Sequence, residues 1–253
     1  MDLLWPFQTF GLLDAVAVAY AIAAAAVIGW LIDRPGQRRH PSVSALMMTY
    51  RREWMAEFIT RDPRIFDSGV LDGLRQGITF YASACIIAIG GGLALVGNTT
   101  PLQGLAGELP LAAASAVALK VKVLFVLAFI FNAFLKFVWS HRLFGYCSIL
   151  MAAVPNDPLS PECAARAAQA AELNITAARA YNRGLRSVYF ALGALGWLLG
   201  PVVLVITITL TLAQAARREF ASQSRAVILT RTGSHRICPR ARMRRGASAT
   251  SAL

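Results

Sequence analysis

Long apolar stretches alternate with basic, polar stretches along the chain. The apolar stretches cover about residues 10–32, 78–96, 119–139 and 188–212. Each holds about 20 residues, the length that an α-helix needs to cross roughly 30 Å of hydrocarbon. The first ends at Asp33, Arg34 and Pro35, where charge and a helix-breaking residue coincide. The pattern predicts an all-α polytopic membrane protein, a bundle of four transmembrane helices within a single domain, residues 1–229.

The third apolar stretch is flanked or interrupted by Lys120, Lys122 and Lys136. Lys136 lies 14 residues after Lys122, which corresponds to roughly 21 Å along a helix. Each lysine can reach several ångströms toward its own interface, because the apolar stem stays in lipid while the ammonium reaches water. The stretch is therefore expected to span the bilayer.

The composition supports lipid as the main solvent, since 57% of the residues are hydrophobic and 15% are charged. The net charge of +12 would suggest nucleic acid as a partner of a soluble protein. In a membrane protein, basic loops set orientation and attract anionic head groups. We therefore expect no nucleic-acid partner. The expected partners are the lipid bilayer, anionic phospholipids, and a second copy of the chain or another membrane protein.

The Lys and Arg residues are distributed unevenly among the loops. Residues 33–77 contain eight and residues 140–187 contain five, whereas the N-terminus and residues 97–119 contain none. By the positive-inside rule, both basic loops lie in the cytoplasm and the N-terminus lies outside. Four spans would then place the C-terminal segment outside, although it contains nine arginines. A fifth crossing within residues 143–154 would remove the conflict, but that stretch is short and interrupted by Gly145. Residues 230–253 are expected to form a basic, disordered tail.

Two amphipathic helices are predicted in the cytoplasmic loops. In the first loop, apolar residues recur at helical spacing, namely Val43, Leu46, Met47, Tyr50, Trp54, Met55 and Phe58. The second helix starts near Pro161 and continues to about Arg186. Two arrangements stay open for the first helix: it lies along the membrane face, or it packs against the second helix.

Polar groups within the apolar stretches are costly in lipid and are therefore candidates for function. The candidate intramembrane residues are Asp14, Lys122, Asn132 and Lys136. At 100° per residue, one sector of the third helix holds Lys122, Phe129, Asn132, Lys136 and Ser140. This polar stripe is either a cationic path or anion-binding face, or two snorkelling lysines with Asn132 as a hydrogen bond between helices. Asp14 is placed to pair with Lys120 or Lys122.

Glycines predict close helix packing in two of the spans. The fourth span contains Gly193, Gly196 and Gly200, and the second contains Gly90, Gly91 and Gly92. Small residues let helices approach closely, so the second and fourth spans are expected to pack together. A kink is expected at the proline that follows Gly200.

No pattern of catalytic or metal-binding residues is evident. Cys85, Cys147, Cys163 and Cys238 are scattered without paired spacing, and the three histidines have no triad context. The chain has neither a glycine-rich phosphate loop nor an H-E-x-x-H motif. We therefore predict no enzymatic activity, no metal and no cofactor.

Several spaced blocks are similar to a known family. They comprise Tyr50, Arg51, Arg52, Trp54 and Met55; Arg64, Ile65 and Asp67; Phe80, Ala82 and Ser83; residues 139–147 (WSHRLFGYC) with Pro155; residues 181–190 (YNRGLRSVYF) with Trp197 and Pro201; and residues 217–222 (RREFAS). Together these blocks resemble domain of unknown function 599 (DUF599), a membrane-protein family of bacteria and plants. The resemblance covers about residues 10–229 and supports the predicted topology, but it implies no activity. The expected location is the bacterial inner membrane.

The resemblance directs attention to residues near one cytoplasmic interface. The candidate interface residues are Arg51, Arg52, Trp54, Arg64, Asp67, Arg142, Tyr146, Asn182, Gly184, Arg186 and Tyr189. They would form either a shared site or a network that docks the cytoplasmic helices on the bundle. The expected function is a membrane scaffold or assembly factor acting through lipid and protein contacts. The alternative is a small transporter or channel using the polar stripe, and a third hypothesis is an interfacial enzyme.

Overall fold

The structure is a computed structural model that describes residues 10–33, 41–98, 100 and 115–231. Within these residues the chain forms helices and no strand. The α-helices are α1 (Leu12–Asp33), α2 (Val43–Phe58), α3 (Ile65–Gly97), α4 (Ala116–Ala152), α5 (Glu162–Ala194), α6 (Pro201–Phe220) and α7 (Gln223–Arg231), and a 3-10 segment (Leu195–Leu199) follows α5.

Four helical stretches are long and apolar enough to cross a membrane. They are α1, α3, α4 and the stretch Pro201–Leu229, which contains α6. Large apolar side chains on them point away from the bundle, among them Ile87, Phe131 and Leu210. Exposed apolar surface of this extent is expected where lipid covers the protein. The prediction of an all-α polytopic membrane protein with four such helices is therefore confirmed.

The bundle has two charged ends. The Asp14 end is marked by Asp14 on α1 and Lys122 on α4, and the Asp33 end by Asp33 on α1 and Lys136 on α4. Asp33 lies 19 residues after Asp14 on α1, which corresponds to about 28 Å at 1.5 Å per residue. This length matches the hydrocarbon thickness of a bilayer. The two ends are thus spaced as two membrane interfaces would be.

The predicted fourth span, residues 188–212, is not one helix. Helix α5 ends at Ala194, and the 3-10 segment that follows it ends at Leu199. Gly200 then adopts φ 131°, a conformation that glycine tolerates because it lacks Cβ. Pro201 starts α6, which folds back along α5, with Thr207 Oγ1 donating to the Gly193 carbonyl at 2.6 Å. The predicted kink is therefore a reversal of chain direction.

Because of this reversal, the glycines of the predicted fourth span pack against a different helix from the one predicted. A Cβ on Gly193 or Gly196 would lie 2.7 or 2.4 Å from the threonine hydroxyls of α6. A Cβ on Gly92 would lie 2.5 Å from Leu127 of α4. The predicted close packing between the second and fourth spans is wrong, because α6 occupies the glycine face that we assigned to α3.

Helices α3, α4 and α5 continue beyond the Asp33 end. Together with α2 they form a helical platform, defined here as residues 43–58, 65–75, 139–152 and 162–182. Its core includes Met55, Phe58, Leu71, Phe144 and Cys147. Helix α2 packs against α5, which is the second of the two arrangements that the sequence left open. Residues 143–152, considered above as part of a fifth crossing, belong to the platform, and residues 232–253 of the predicted tail lie outside the described residues.

Candidate functional site

A cluster of charged residues joins α1 to α5 at the Asp33 end. The Asp33 carboxylate accepts hydrogen bonds from Arg186 Nη2 at 2.8 Å and from Arg183 Nε at 2.7 Å. The Asp33 and Arg186 side chains are 14% and 11% exposed, whereas Arg183 is 47% exposed. Arg186 therefore forms the buried part of the ion pair, and Arg183 covers it from the more exposed side.

Beside this cluster, two residues of the polar stripe bind one hydroxyl of α5. Lys136 Nζ donates to Ser187 Oγ at 2.9 Å, and Asn132 Nδ2 lies 3.3 Å from the same oxygen. Ser187 Oγ in turn donates to the Arg183 carbonyl. Within the described residues Lys136 forms no ion pair, so its ammonium retains unused hydrogen-bonding capacity.

Aromatic rings interrupt the polar stripe between Asn132 and the Asp14 end. Phe129 stacks on Phe190 with ring centroids 6.3 Å apart, and Phe125 meets Trp197 edge-on at 5.3 Å. Beyond Lys136, in the platform, Ser140 Oγ donates to the Ala177 carbonyl at 2.7 Å. The polar residues of the stripe therefore tie α4 to α5 and do not line a continuous polar path.

At the Asp14 end, two candidate intramembrane residues meet one indole. Trp197 Nε1 donates to Asp14 Oδ1 at 2.7 Å, and Lys122 Nζ lies 5.9 Å from the Trp197 ring centroid. A cation held over the face of an indole is attracted by its quadrupole. The predicted pairing of Asp14 with Lys120 or Lys122 does not take the form of a direct ion pair, because Trp197 is the bonding partner of Asp14.

In the platform, Asp67 is a fully buried carboxylate near the N-terminus of α3. Its Oδ1 accepts hydrogen bonds from Trp54 Nε1 at 2.6 Å and from Arg61. Within the part of the chain that the structure describes, its Oδ2 has no hydrogen-bond partner. The positive end of the helix dipole also favours a carboxylate in the first turn of a helix. Asp67 thus anchors the α2–α3 connection to the start of α3.

Arg51 extends from α2 into the platform core. It donates to Asn174 Oδ1 of α5, and Asn174 Nδ2 lies 3.7 Å from Cys147 Sγ of α4. Burial lowers the pKa of the Arg51 guanidinium, although its interaction with Cys147 opposes the shift. Three helices are joined through this chain of contacts.

Arg64 fixes the connection between α4 and α5. Its guanidinium donates to the carbonyls of Val154 and Pro155 at 2.8 and 2.9 Å and lies 4.5 Å from the Phe58 ring centroid. The planar fork of arginine suits two adjacent carbonyls, which the single ammonium of lysine could not span in the same way. Arg64 is thus bonded to backbone and packed on an aromatic ring.

The other candidate interface residues are distributed over separate contacts. Arg52 pairs with Glu172 at 2.7 Å, but both side chains are more than half exposed, so the pair adds little stability. The remaining contacts are Arg142 with Tyr146 at 2.6 Å, Asn182 with Ser44 at 3.4 Å, Tyr189 with Arg218 at 2.5 Å, and a Cβ on Gly184 with the Phe137 ring at 2.7 Å. The structure therefore places the predicted residues in several contacts along the bundle and not in one site.

Some of the predicted interface residues do line a common space. Arg51 and Asn182 line a cavity of about 280 Å³ between α2, α5 and α6, together with Arg179 and Glu219. Within the described residues, no group of three or more His, Cys, Asp or Glu side chains could hold a metal ion. A second space of about 390 Å³ is lined by three of the predicted residues, Asn182, Arg186 and Tyr189, so the predicted residues are divided between separate spaces.

Several hydrogen-bond partners of the candidate residues could not be identified from the sequence pattern. Asp33 stood out only as the end of the first span, and Ser187 lay unremarked within a family block. Asn174 was noticeable only for the N-x-T triplet that it begins. Their partners lie on other helices, so periodicity along one helix could not identify them. Cross-helix pairing of buried polar groups is the signal that the structure adds.

Comparison with known proteins agrees with the family blocks. A family model described as "Protein of unknown function, DUF599" matches residues 16–224. No curated protein matches the chain. No solved structure matches it either. Because the matched residues cover most of the chain, the protein belongs to the DUF599 family.

Proposed function

We propose that the protein is a membrane scaffold or assembly factor that presents the platform to a protein partner. The observation that carries this proposal is the exposed apolar pair Tyr146 and Ile149 on α4, which are 39% and 67% exposed. Ile149 lies 13 residues beyond Lys136, about 20 Å along the helix axis. At that distance from the Asp33 end, water and not lipid would cover the pair. Exposed apolar side chains in such a position favour protein contact.

The bonding of the polar residues supports a scaffold over a transporter. Asn132 and Lys136 bind Ser187, and Asp14 binds Trp197, so these groups hold helices together. The rings of Phe129 and Phe190 stack between the two charged ends. A permeation path along α4 would require these rings to separate. No observation favours the transporter hypothesis to the same degree.

The proposed orientation has five crossings, with the platform in the cytoplasm of a bacterial cell. Four are the long apolar helices, and the fifth is the end of α5 with the 3-10 segment, which runs from Arg183 at the Asp33 end to Trp197 at the Asp14 end. An odd number of crossings puts α7 on the side of the basic loops. The positive-inside rule is then satisfied with the N-terminus outside.

A site-specific photocrosslinker tests the scaffold proposal in native membranes. It is placed at Tyr146 or Ile149, and at Leu135 as a control, because Leu135 is similarly exposed but lies between the charged ends. Discrete protein adducts are expected at the two platform positions, with lipid adducts at Leu135. Lipid adducts alone at all three positions would overturn the proposal.

Flux measurements in proteoliposomes distinguish the scaffold proposal from the transporter hypothesis. The scaffold proposal predicts no saturable flux across a broad panel of ions and small solutes. Saturable flux that disappears in Lys136→Met but persists in Lys120→Met would favour the transporter. The two variants make the same charge change in one helix, so a general effect of lost charge affects both.

A further inference from the structure

A groove open toward lipid runs between α1 and α4, and α5 forms its floor. Its volume is about 470 Å³. Both α1 and α4 pack on α5, and both contribute residues to the walls of the groove. The groove is distinct from the platform surface discussed above.

The part of the groove toward the Asp14 end is apolar. Its walls are Ile22, Ala26 and Gly29 of α1, with Phe129 and Phe190 opposite. Small side chains on α1 keep this part wide, and a Cβ on Gly29 would contact nothing within 4 Å. The space is therefore suited to a hydrocarbon chain, since apolar surface favours apolar contact.

The part at the Asp33 end is cationic. Among the described residues it is lined by Lys136, Arg183 and Arg186 and by one carboxylate, Asp33, which leaves two positive charges in excess. Lys136 experiences repulsion from both arginines and attraction from Asp33. Its hydrogen bond to Ser187 leaves two of the three ammonium donors for another acceptor. An anionic group would balance this end of the groove.

We propose that the groove binds one anionic phospholipid, with its phosphate at Lys136 and Arg183 and an acyl chain along Ile22 and Ala26. The phosphate and the acyl chain of a lipid would lie at the membrane depths of the two parts of the groove, because the cationic part lies at an interface and the apolar part lies between the interfaces. Ammonium and guanidinium groups bind phosphate through charge-assisted hydrogen bonds. The inference rests on the proposed function only because it requires the proposed arrangement in the membrane. It does not require a protein partner.

The test is lipid titration of the delipidated full-length protein in a neutral detergent, followed by native mass spectrometry. Phosphatidylglycerol is compared with phosphatidylcholine, and inorganic phosphate serves as a free anion. Tight binding of one phosphatidylglycerol is expected, with at least about tenfold weaker binding of phosphatidylcholine. Lys136→Met should weaken phosphatidylglycerol binding about tenfold, as expected for one lost charge-assisted hydrogen bond.

Two further variants keep the test decisive. Lys120→Met removes the same charge from α4 away from the groove, and should bind phosphatidylglycerol like the original protein. Gly29→Leu fills the apolar part without changing charge, and should also weaken binding, while a thermal unfolding scan confirms that it folds.

Equal affinity for the two lipids, or unchanged binding in both Lys136→Met and Gly29→Leu, would overturn the proposal. So would phosphate competing fully at concentrations similar to those of the lipid, which would indicate a free-anion site. Dimer formation that Gly29→Leu abolishes would instead assign the groove to a second copy of the chain. Photocrosslinking at Tyr146 and Ile149 is scored separately, so the failure of one proposal does not imply the failure of the other.

Discussion

Asp33 and Arg186 are 153 residues apart in the chain, and Arg186 Nη2 lies 2.8 Å from both carboxylate oxygens of Asp33. Arg183 binds the same carboxylate, so one acidic group serves two basic groups. The cluster fastens the end of α1 to the middle of α5. It also sets the charge of the neighbouring groove.

Loss of the shared carboxylate should cost more stability than loss of its exposed partner. Asp33→Asn leaves Arg186 largely buried without a counter-charge, so we expect a loss of about 3 kcal/mol in unfolding free energy. Arg183→Gln should cost less than about 1 kcal/mol, because Arg183 is half exposed and Arg186 still neutralises Asp33. Denaturant unfolding in micelles measures both. Equal losses would contradict the assignment of Arg186 as the principal partner.

The buried Asp67 should depend on the indole of Trp54. Trp54→Phe keeps an aromatic ring but removes the hydrogen bond to Asp67, and we expect a loss of about 1–3 kcal/mol. Trp139→Phe is the matched control, because Trp139 is exposed. Thermal unfolding compares the two variants. If Trp54→Phe is as stable as Trp139→Phe, the bond does not anchor Asp67.

Arg64 should be irreplaceable by lysine. Arg64→Lys keeps the charge but cannot bond the Val154 and Pro155 carbonyls as a fork, so the α4–α5 connection should become easier to cleave. Limited proteolysis measures the cleavage rate within residues 153–161, and several-fold acceleration is expected. Arg142→Lys is the control, since Arg142 is exposed and bonds a side chain of its own helix. Similar cleavage rates in both variants would count against the proposed role of Arg64.

The close approach of α5 to α4 should tolerate no added methyl group at Gly184. A Cβ there would lie 2.7 Å from the buried ring of Phe137, so Gly184→Ala should lose about 1–3 kcal/mol through overpacking. Gly90→Ala meets nothing within 4 Å and should be neutral, or stabilising by up to about 1 kcal/mol. Thermal unfolding of both variants is the measurement. A stabilised Gly184→Ala would show that the ring moves aside.

The proposed arrangement with five crossings makes a direct prediction about thiol accessibility. Gln169→Cys and Ser224→Cys should both be protected from an impermeant thiol reagent in intact cells, whereas Asn98→Cys should be labelled. All three positions are exposed, and the described native cysteines are buried, so Cys238 alone needs replacement by serine. Labelling of Ser224→Cys in intact cells would return the topology to an even number of crossings.

The length of the apolar runs was sufficient to identify α1, α3 and α4, and hydrophobic periodicity was sufficient to identify α2, because burial in lipid or against one neighbour depends on residues of the same helix. Neither pattern was sufficient at residues 188–212, where the fourth long apolar helix begins only at Pro201. A continuous apolar run has the same composition whether it crosses once or doubles back, and the reversal depends on the positive φ of Gly200 and on α6 packing against Gly193.

The candidate residues divide in the same way. The sequence by itself determined that Lys122, Asn132 and Lys136 share one helical sector, since that follows from 100° per residue. Only the tertiary structure decided that Ser187 binds two of them and that Asp33 binds Arg186. The physical reason is that a polar group in lipid must find a partner, but the partner lies on whichever helix packs beside it, and that choice is made by side-chain packing between helices distant in the chain.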